Sequence, residues 1–220
     1  MARSWATWAA AILAFGPCVA WAQAPAGDGV AEQMQAFTRT PAYQELLRRG
    51  LAALPSAVFA TCPGLISTQS SVNALKPITF NAEGAPTAGA WKQSLSVGGC
   101  GDDKTLNFYF SVDAQGRIDT IIGAPGDTRA DPVLQEDAMA SIKLALARIG
   151  ATCGAFDIKD TRFDGLEAPA AGQGQAQGDD QNFRETWSVI GCGKTYEAPV
   201  LFIPRPAGTQ IVVMEHISQH

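Results

Sequence analysis

The chain has 220 residues, with 16 Lys plus Arg against 21 Asp plus Glu, a formal net charge of −5 and 46% apolar residues. Apolar content at this level suffices for a folded core. The mild acidic excess argues against nucleic acid and anionic membranes, which reward clustered Lys and Arg.

Residues 1–24 carry a single basic residue, Arg3, then an apolar run through Ala9 to Phe15, then Ala22-Gln23-Ala24. Small residues at Ala22 and Ala24 suit signal peptidase, so cleavage is expected near Ala24, leaving a periplasmic or secreted chain. Two alternatives are an N-terminal membrane helix, which Gly16 and Pro17 would interrupt, and lipidation of Cys18, which Pro17 suits badly. Past residue 24 the net charge is −6, and no stretch is long and apolar enough to span a bilayer.

A helical pattern runs from about Gly29 to Leu54, with Met34, Phe37, Tyr43, Leu46, Leu47 and Leu51 at spacings of three and four. Pro41 should kink or restart it, and Arg48, Arg49 and Gly50 resemble a C-terminal end. Ala60-Thr61-Cys62 leads into β territory. Asn81 to Ala90 reads as a soft insertion, mobile and poor in groups that could bury. Then comes Leu95-Ser96-Val97-Gly98-Gly99-Cys100-Gly101. Leu106 to Val112 alternates apolar and polar with the period of a strand, Asp113 to Gly116 is a turn, and Arg117 to Ile122 returns as a second strand.

The second half says much of this again. Asp131 is placed to cap a helix, with Pro132 in its first position, Glu136 and Asp137 near its positive end, and Arg148 and Gly150 closing it. Leu134, Ala138, Ile142, Ala145, Leu146 and Ile149 form its apolar stripe. Ala151-Thr152-Cys153 follows. A second soft insertion spans Ala168 to Asn182, and Trp187-Ser188-Val189-Ile190-Gly191-Cys192-Gly193 matches the earlier word at five of seven positions. Tyr196 to Ile203 and Gln210 to Ile217 read as strands joined by a turn at Pro204 to Gly208. Pro199 and Pro204 cannot donate to a ladder, so the first of these strands is expected at an edge or bulged.

The repeated words imply an α+β architecture of two tandem repeats, each a helix packed on a small antiparallel sheet and closed by one disulfide: residues 25–123 and 124–220. Four cysteines allow three pairings. The duplication selects Cys62 with Cys100 and Cys153 with Cys192, since each pair brackets equivalent segments of one unit. Neither the Cys-x-x-Cys of a redox pair nor the close spacing of a zinc site occurs, so the cysteines read as structural.

Trp91 and Trp187, the tryptophans left after processing, lead into the second cysteine of each unit, where an indole can cover the bridge or face a partner. Asp102 and Asp103 follow the first Cys-Gly and, with Asp127, Asp131, Asp179 and Asp180, are loop acids that could in principle bind a cation or hydrolyse a glycoside. His216 and His220 lie in the last five residues, too near the end to anchor a metal or a nucleophile relay. No nucleophile elbow, phosphate loop or zinc-protease motif is present, and no cofactor or metal is expected. The sequence therefore implies a non-catalytic exported protein-binding module, its partner another envelope protein, in one form an inhibitor or immunity protein. The alternatives are a carboxylate-dependent hydrolase of the envelope and a structural component of an envelope assembly. The candidate binding residues are Trp91, Trp187, Asp102 and Asp103.

Overall fold

The structure, a computed structural model, describes residues 28–54, 66–98, 103–167 and 181–220. Two helices open it, α1 (Asp28–Thr38) and α2 (Pro41–Ala52). Pro41 is the reason they are two: its ring cannot continue a helix but suits the first position of a new one. Thr40 caps α2, its Oγ1 accepting the Tyr43 N–H at 3.3 Å.

The helices cover one face of a four-stranded antiparallel sheet, β1 (Ile66–Phe80), β2 (Pro86–Gly98), β3 (Lys104–Val112) and β4 (Ile118–Ile122), in that spatial order. Alternation along β2 and β3 sends Trp91, Leu95, Val97, Leu106, Phe108 and Phe110 against Met34, Phe37, Tyr43 and Leu47. Trp91 stacks on Phe110 with centroids 5.3 Å apart and has no exposed surface. Each such side chain contributes about 1.5–3 kcal/mol on burial. One polar network sits inside this core: Trp91 Nε1 donates to the Tyr43 hydroxyl at 3.1 Å, the hydroxyl donates to Gln93 Oε1, and Gln93 Nε2 donates to Ser70 Oγ at 2.9 Å. Burial pushes the Tyr43 hydroxyl up to about 12.

The third helix, α3 (Pro132–Arg148), starts as its sequence implies, with Asp131 Oδ1 accepting the Leu134 N–H at 2.9 Å. It packs on the second sheet, β5 (Phe156–Glu167), β6 (Asn182–Gly191), β7 (Lys194–Arg205) and β8 (Gly208–Val213), with β9 (Ser218–Gln219) also paired to β7. Ala138, Ile142 and Leu146 meet Trp187, Val189, Ala198, Val200 and Phe202 in its core. The stripe ends before Ile149, which is 55% exposed one residue past the last turn. The word Gly191-Cys192-Gly193 is a two-residue hairpin turn between β6 and β7. Cys192 and Gly193 both take positive φ, 54° and 72°, as the type I′ turn requires, and Gly191 pairs with Lys194. From this turn Cys192 reaches Cys153, and the two form a disulfide.

Two expectations need correction. Asn81 to Ala90 is not all loop: only 81–85 turn, while Pro86 to Ala90 are the start of β2, paired through Pro86 with Phe80, Ala88 with Thr79 and Ala90 with Lys76. Main-chain pairing needs no apolar side chain, so a run of small residues can serve as a strand. Likewise β7 is neither an edge strand nor bulged; it lies between β6 and β8 in unbroken register. Pro199 is tolerated because its carbonyl, and hence its nitrogen, faces the gap between Val213 of β8 and Ser218 of β9, where Met214 N–H caps the Pro199 carbonyl at 2.9 Å. Pro204 lies beyond Phe183, the last residue of β6 to find a partner on β7. Within the second soft insertion, Asn182 already belongs to β6, and residues 168–180 lie outside the described residues.

Candidate binding surface at the seam between the sheets

The segment from Gly123 to Asp131 joins the two sheets, and hydrogen bonds hold it on both sides. Toward the first sheet, Gly123 N–H donates to Asn107 O at 2.8 Å and Gly126 N–H to Thr105 O at 2.7 Å, where β3 extends past the end of β4. Toward the second, Asp127 N–H donates to Thr161 O at 2.7 Å on the outer edge of β5. Asn107 Nδ2 reinforces the first side by donating to Ala124 O at 2.8 Å and Gly126 O at 2.9 Å, and Thr161 Oγ1 the second by donating to Pro125 O at 2.6 Å. Gly126 permits this closeness. At φ 98°, a Cβ there would lie 2.1 Å from Thr161 O and 2.4 Å from Asp160 Oδ1.

Farther along, Glu185 of β6 is fully buried and turned toward the connector. Its oxygens lie 2.9 and 3.1 Å from the Thr128 hydroxyl, and they accept Arg129 N–H at 2.6 Å and Trp187 Nε1–H at 2.9 Å. Burial pushes its carboxyl above the usual carboxylate range, an effect these donors oppose. Lys92 reaches in from β2 to donate to Thr128 O at 3.0 Å, and burial pushes its ammonium down. Tyr109 and Gln135 complete the lock: the Tyr109 hydroxyl donates to Ala130 O at 3.3 Å, and Gln135 accepts Ala124 N–H at 2.8 Å while donating to Ala130 O at 2.7 Å. The connector is therefore pinned to both sheets, its buried polar groups satisfied by these bonds.

Two polar hollows meet on this seam, sharing Thr105, Gly126 and Asp127. One, about 470 Å³, is lined by hydroxyls and amides of the first sheet, among them Ser71, Asn73, Ser94 and Asn107, with Lys92. The other, about 650 Å³, carries Asp103, Lys104, Asp127, Lys159, Asp160, Arg162 and Glu197. Partial burial pushes the Asp160 carboxyl up, and the Glu197 charge pushes the same way. This mixture of interspersed charges and hydrogen-bonding groups suits a charged, polar surface of complementary pattern.

The candidate residues read from the sequence are not gathered in one place. Trp91 and Trp187 are buried in separate cores with no surface a partner could touch, their indole N–H groups held by Tyr43 and Glu185. Asp103 is exposed on the rim of the charged hollow. Asp102, Cys62 and Cys100 lie outside the described residues, as do the leader and Cys18. His216 and His220 join no group of metal-ligating residues among the described residues, and the last strand ties the C-terminus to β7 through the paired Thr195 and His220 backbones. No helix of the described residues is long and apolar enough to cross a membrane.

The buried polar residues leave one signal in the sequence, a polar residue on the apolar period of a strand. Gln93 interrupts Trp91-x-x-x-Leu95-x-Val97, and Glu185 interrupts Phe183-x-x-x-Trp187-x-Val189. Comparison with protein-family models, with curated proteins and with solved structures finds no match for this chain.

Proposed function

We propose that this chain is an exported, non-catalytic protein-binding module that offers its polar seam to another protein of the envelope, one form of which is an inhibitor of an enzyme or toxin there. The observation that carries this reading is the meeting of the two polar hollows on a connector locked by Asn107, Thr161 and Glu185. A preorganised surface of mixed charge lowers the ordering cost of association and selects a partner of matching pattern.

We further propose that the module arose by tandem duplication. Supporting this, side chains 92 positions apart play like parts: Trp91 stacks on Phe110 as Phe183 stacks on Phe202, and a buried polar residue stands at Gln93 in one sheet and at Glu185 in the other.

The test is crosslinked capture from the native envelope with the wild-type chain and with a charge-swapped Lys159→Glu, Glu197→Lys variant. A near-stoichiometric protein held by the wild type and lost by the variant is the expected result. An empty capture, or a partner held equally by both, overturns the seam as the binding surface. A carboxylate-dependent hydrolase is the second reading, favoured by Asp160, whose carboxyl is pushed up by burial and which lines the same hollow as Glu197. It requires a hydrolytic activity toward envelope glycans that Asp160→Asn abolishes without lowering the melting temperature.

A further inference from the structure

The sheets end in four edges, and three are guarded. β4 and β8 are short, five and six residues. β5 carries Asp157, Lys159, Asp160, Arg162 and Asp164, and the connector occupies part of its edge through Asp127. Short, charged or covered edges are how proteins prevent unwanted strand pairing.

β1 is different. It runs 15 residues, pairs only with β2 among the described strands, and its stretch from Gln69 to Leu75 contains no charge and no proline. From Gln69 to Ala74 its register is continuous, residue for residue against Ser96 to Trp91, with the bulges confined to either side. This regular, uncharged stretch is no longer than β8, but it lies within a 15-residue strand and displays a row of main-chain donors and acceptors at strand spacing beside a groove.

Beside that edge lies a mainly apolar groove of about 540 Å³ between β1 and α1, lined by Val30, Ala31, Met34 and Val72 and also by the polar Glu32, Gln35 and Thr38 of α1. The β1 residues lining it, Ser70, Val72 and Ala74, alternate with Gln69, Ser71 and Asn73, which line the polar hollow on the opposite face. A strand added to this edge would send every second side chain into an apolar groove and the others toward a polar surface.

We propose that the free edge of β1 over Gln69 to Ala74, together with the α1 groove, binds an extended segment of a partner protein by strand addition, the segment carrying an apolar residue at every second position. This deepens the protein-binding reading by naming how the partner is held. The chemistry of the edge sets the occupant's class, since only an extended backbone satisfies such a row of groups. The groove sets its side chains. Over this stretch β1 itself carries only the small Ser70, Val72 and Ala74 on the groove side, so a second copy paired there would place less apolar bulk in the groove than a segment with large alternate side chains.

The test is selection from a library of strand-length peptides with apolar residues at alternate positions, on the full chain, followed by hydrogen exchange with the selected peptide. Exchange should slow at alternate amides between Gln69 and Ala74. Methylating the peptide's alternate backbone nitrogens should abolish binding in one register and leave it in the other. Ala31→Trp, which fills the groove from the exposed side of α1, should weaken binding about tenfold with an unchanged melting temperature. An empty selection, protection confined to other segments, or indifference to N-methylation overturns the proposal. Concentration-dependent protection of the same amides without peptide also overturns it, by assigning the edge to a second copy. The Lys159→Glu, Glu197→Lys variant should still bind the peptide, so the seam and the edge stand or fall separately.

Discussion

The carboxylate of Glu185 lies 2.9 and 3.1 Å from the hydroxyl of Thr128, 57 residues away in sequence, and this contact pins the connector to the second sheet. Glu185→Ala would leave the Thr128 hydroxyl, the Arg129 N–H and the Trp187 indole N–H without their acceptor. Unsatisfied buried donors of this kind cost about 1–3 kcal/mol each. A loss of about 3 kcal/mol in urea denaturation is expected, and a loss below about 1 kcal/mol would show the connector held by its other bonds alone.

The same residue gives stability a pH dependence. Its folded carboxyl is held above the ordinary range by burial, so the folded chain keeps a proton that the unfolded chain has already released. That contribution is fully present below the unfolded carboxylate value and is lost as pH rises through the folded one. The wild type should therefore gain stability relative to Glu185→Gln on acidification from neutral pH, and parallel stability curves for the two proteins would contradict it.

At alkaline pH two tyrosines act in the same sense. Burial pushes both Tyr43 and Tyr109 up to about 12. The folded chain thus retains protons above pH 10 that the unfolded chain loses, and stability should fall between about pH 10 and 12. Spectrophotometric titration should show Tyr43 and Tyr109 ionising only as the fold is lost. Tyr43→Phe and Tyr109→Phe should each flatten the fall.

Gly126→Ala and Gly116→Ala both place a side chain at positive φ, 98° and 76°. Around Gly116 there is open space, so only the backbone strain of about 1 kcal/mol applies. At Gly126 the new methyl meets Thr161 and Asp160, which adds about 1–3 kcal/mol of overpacking. Thermal melts should rank Gly126→Ala well below Gly116→Ala. Equal melts would mean the connector can shift away from β5.

The bond between Cys153 and Cys192 closes a loop of 39 residues. In the chain-entropy model a loop of this size stabilises by about 4 kcal/mol. Cys153→Ala should lower stability by about 2–4 kcal/mol under oxidising conditions. A wild type insensitive to reductant would contradict this.

The sequence by itself determined the local elements, because the forces behind them are local. Pro41 and Pro132 start helices, Asp131 caps one, and the alternation from Leu106 to Val112 makes a strand. The pairing of Cys153 with Cys192 was legible too, since a repeated word marks equivalent places in the chain. The tertiary structure alone decided which polar residues are buried and where the connector lies. Glu185 and Gln93 look like ordinary strand residues until Thr128, Tyr43 and Trp91 close over them. Trp91 and Trp187 belong to the interior for the same reason: burial depends on the opposing element, and no spacing within one strand states what will cover it. The place of β1 at the end of its sheet among the described strands was equally hidden, because an edge is defined by which strands become neighbours.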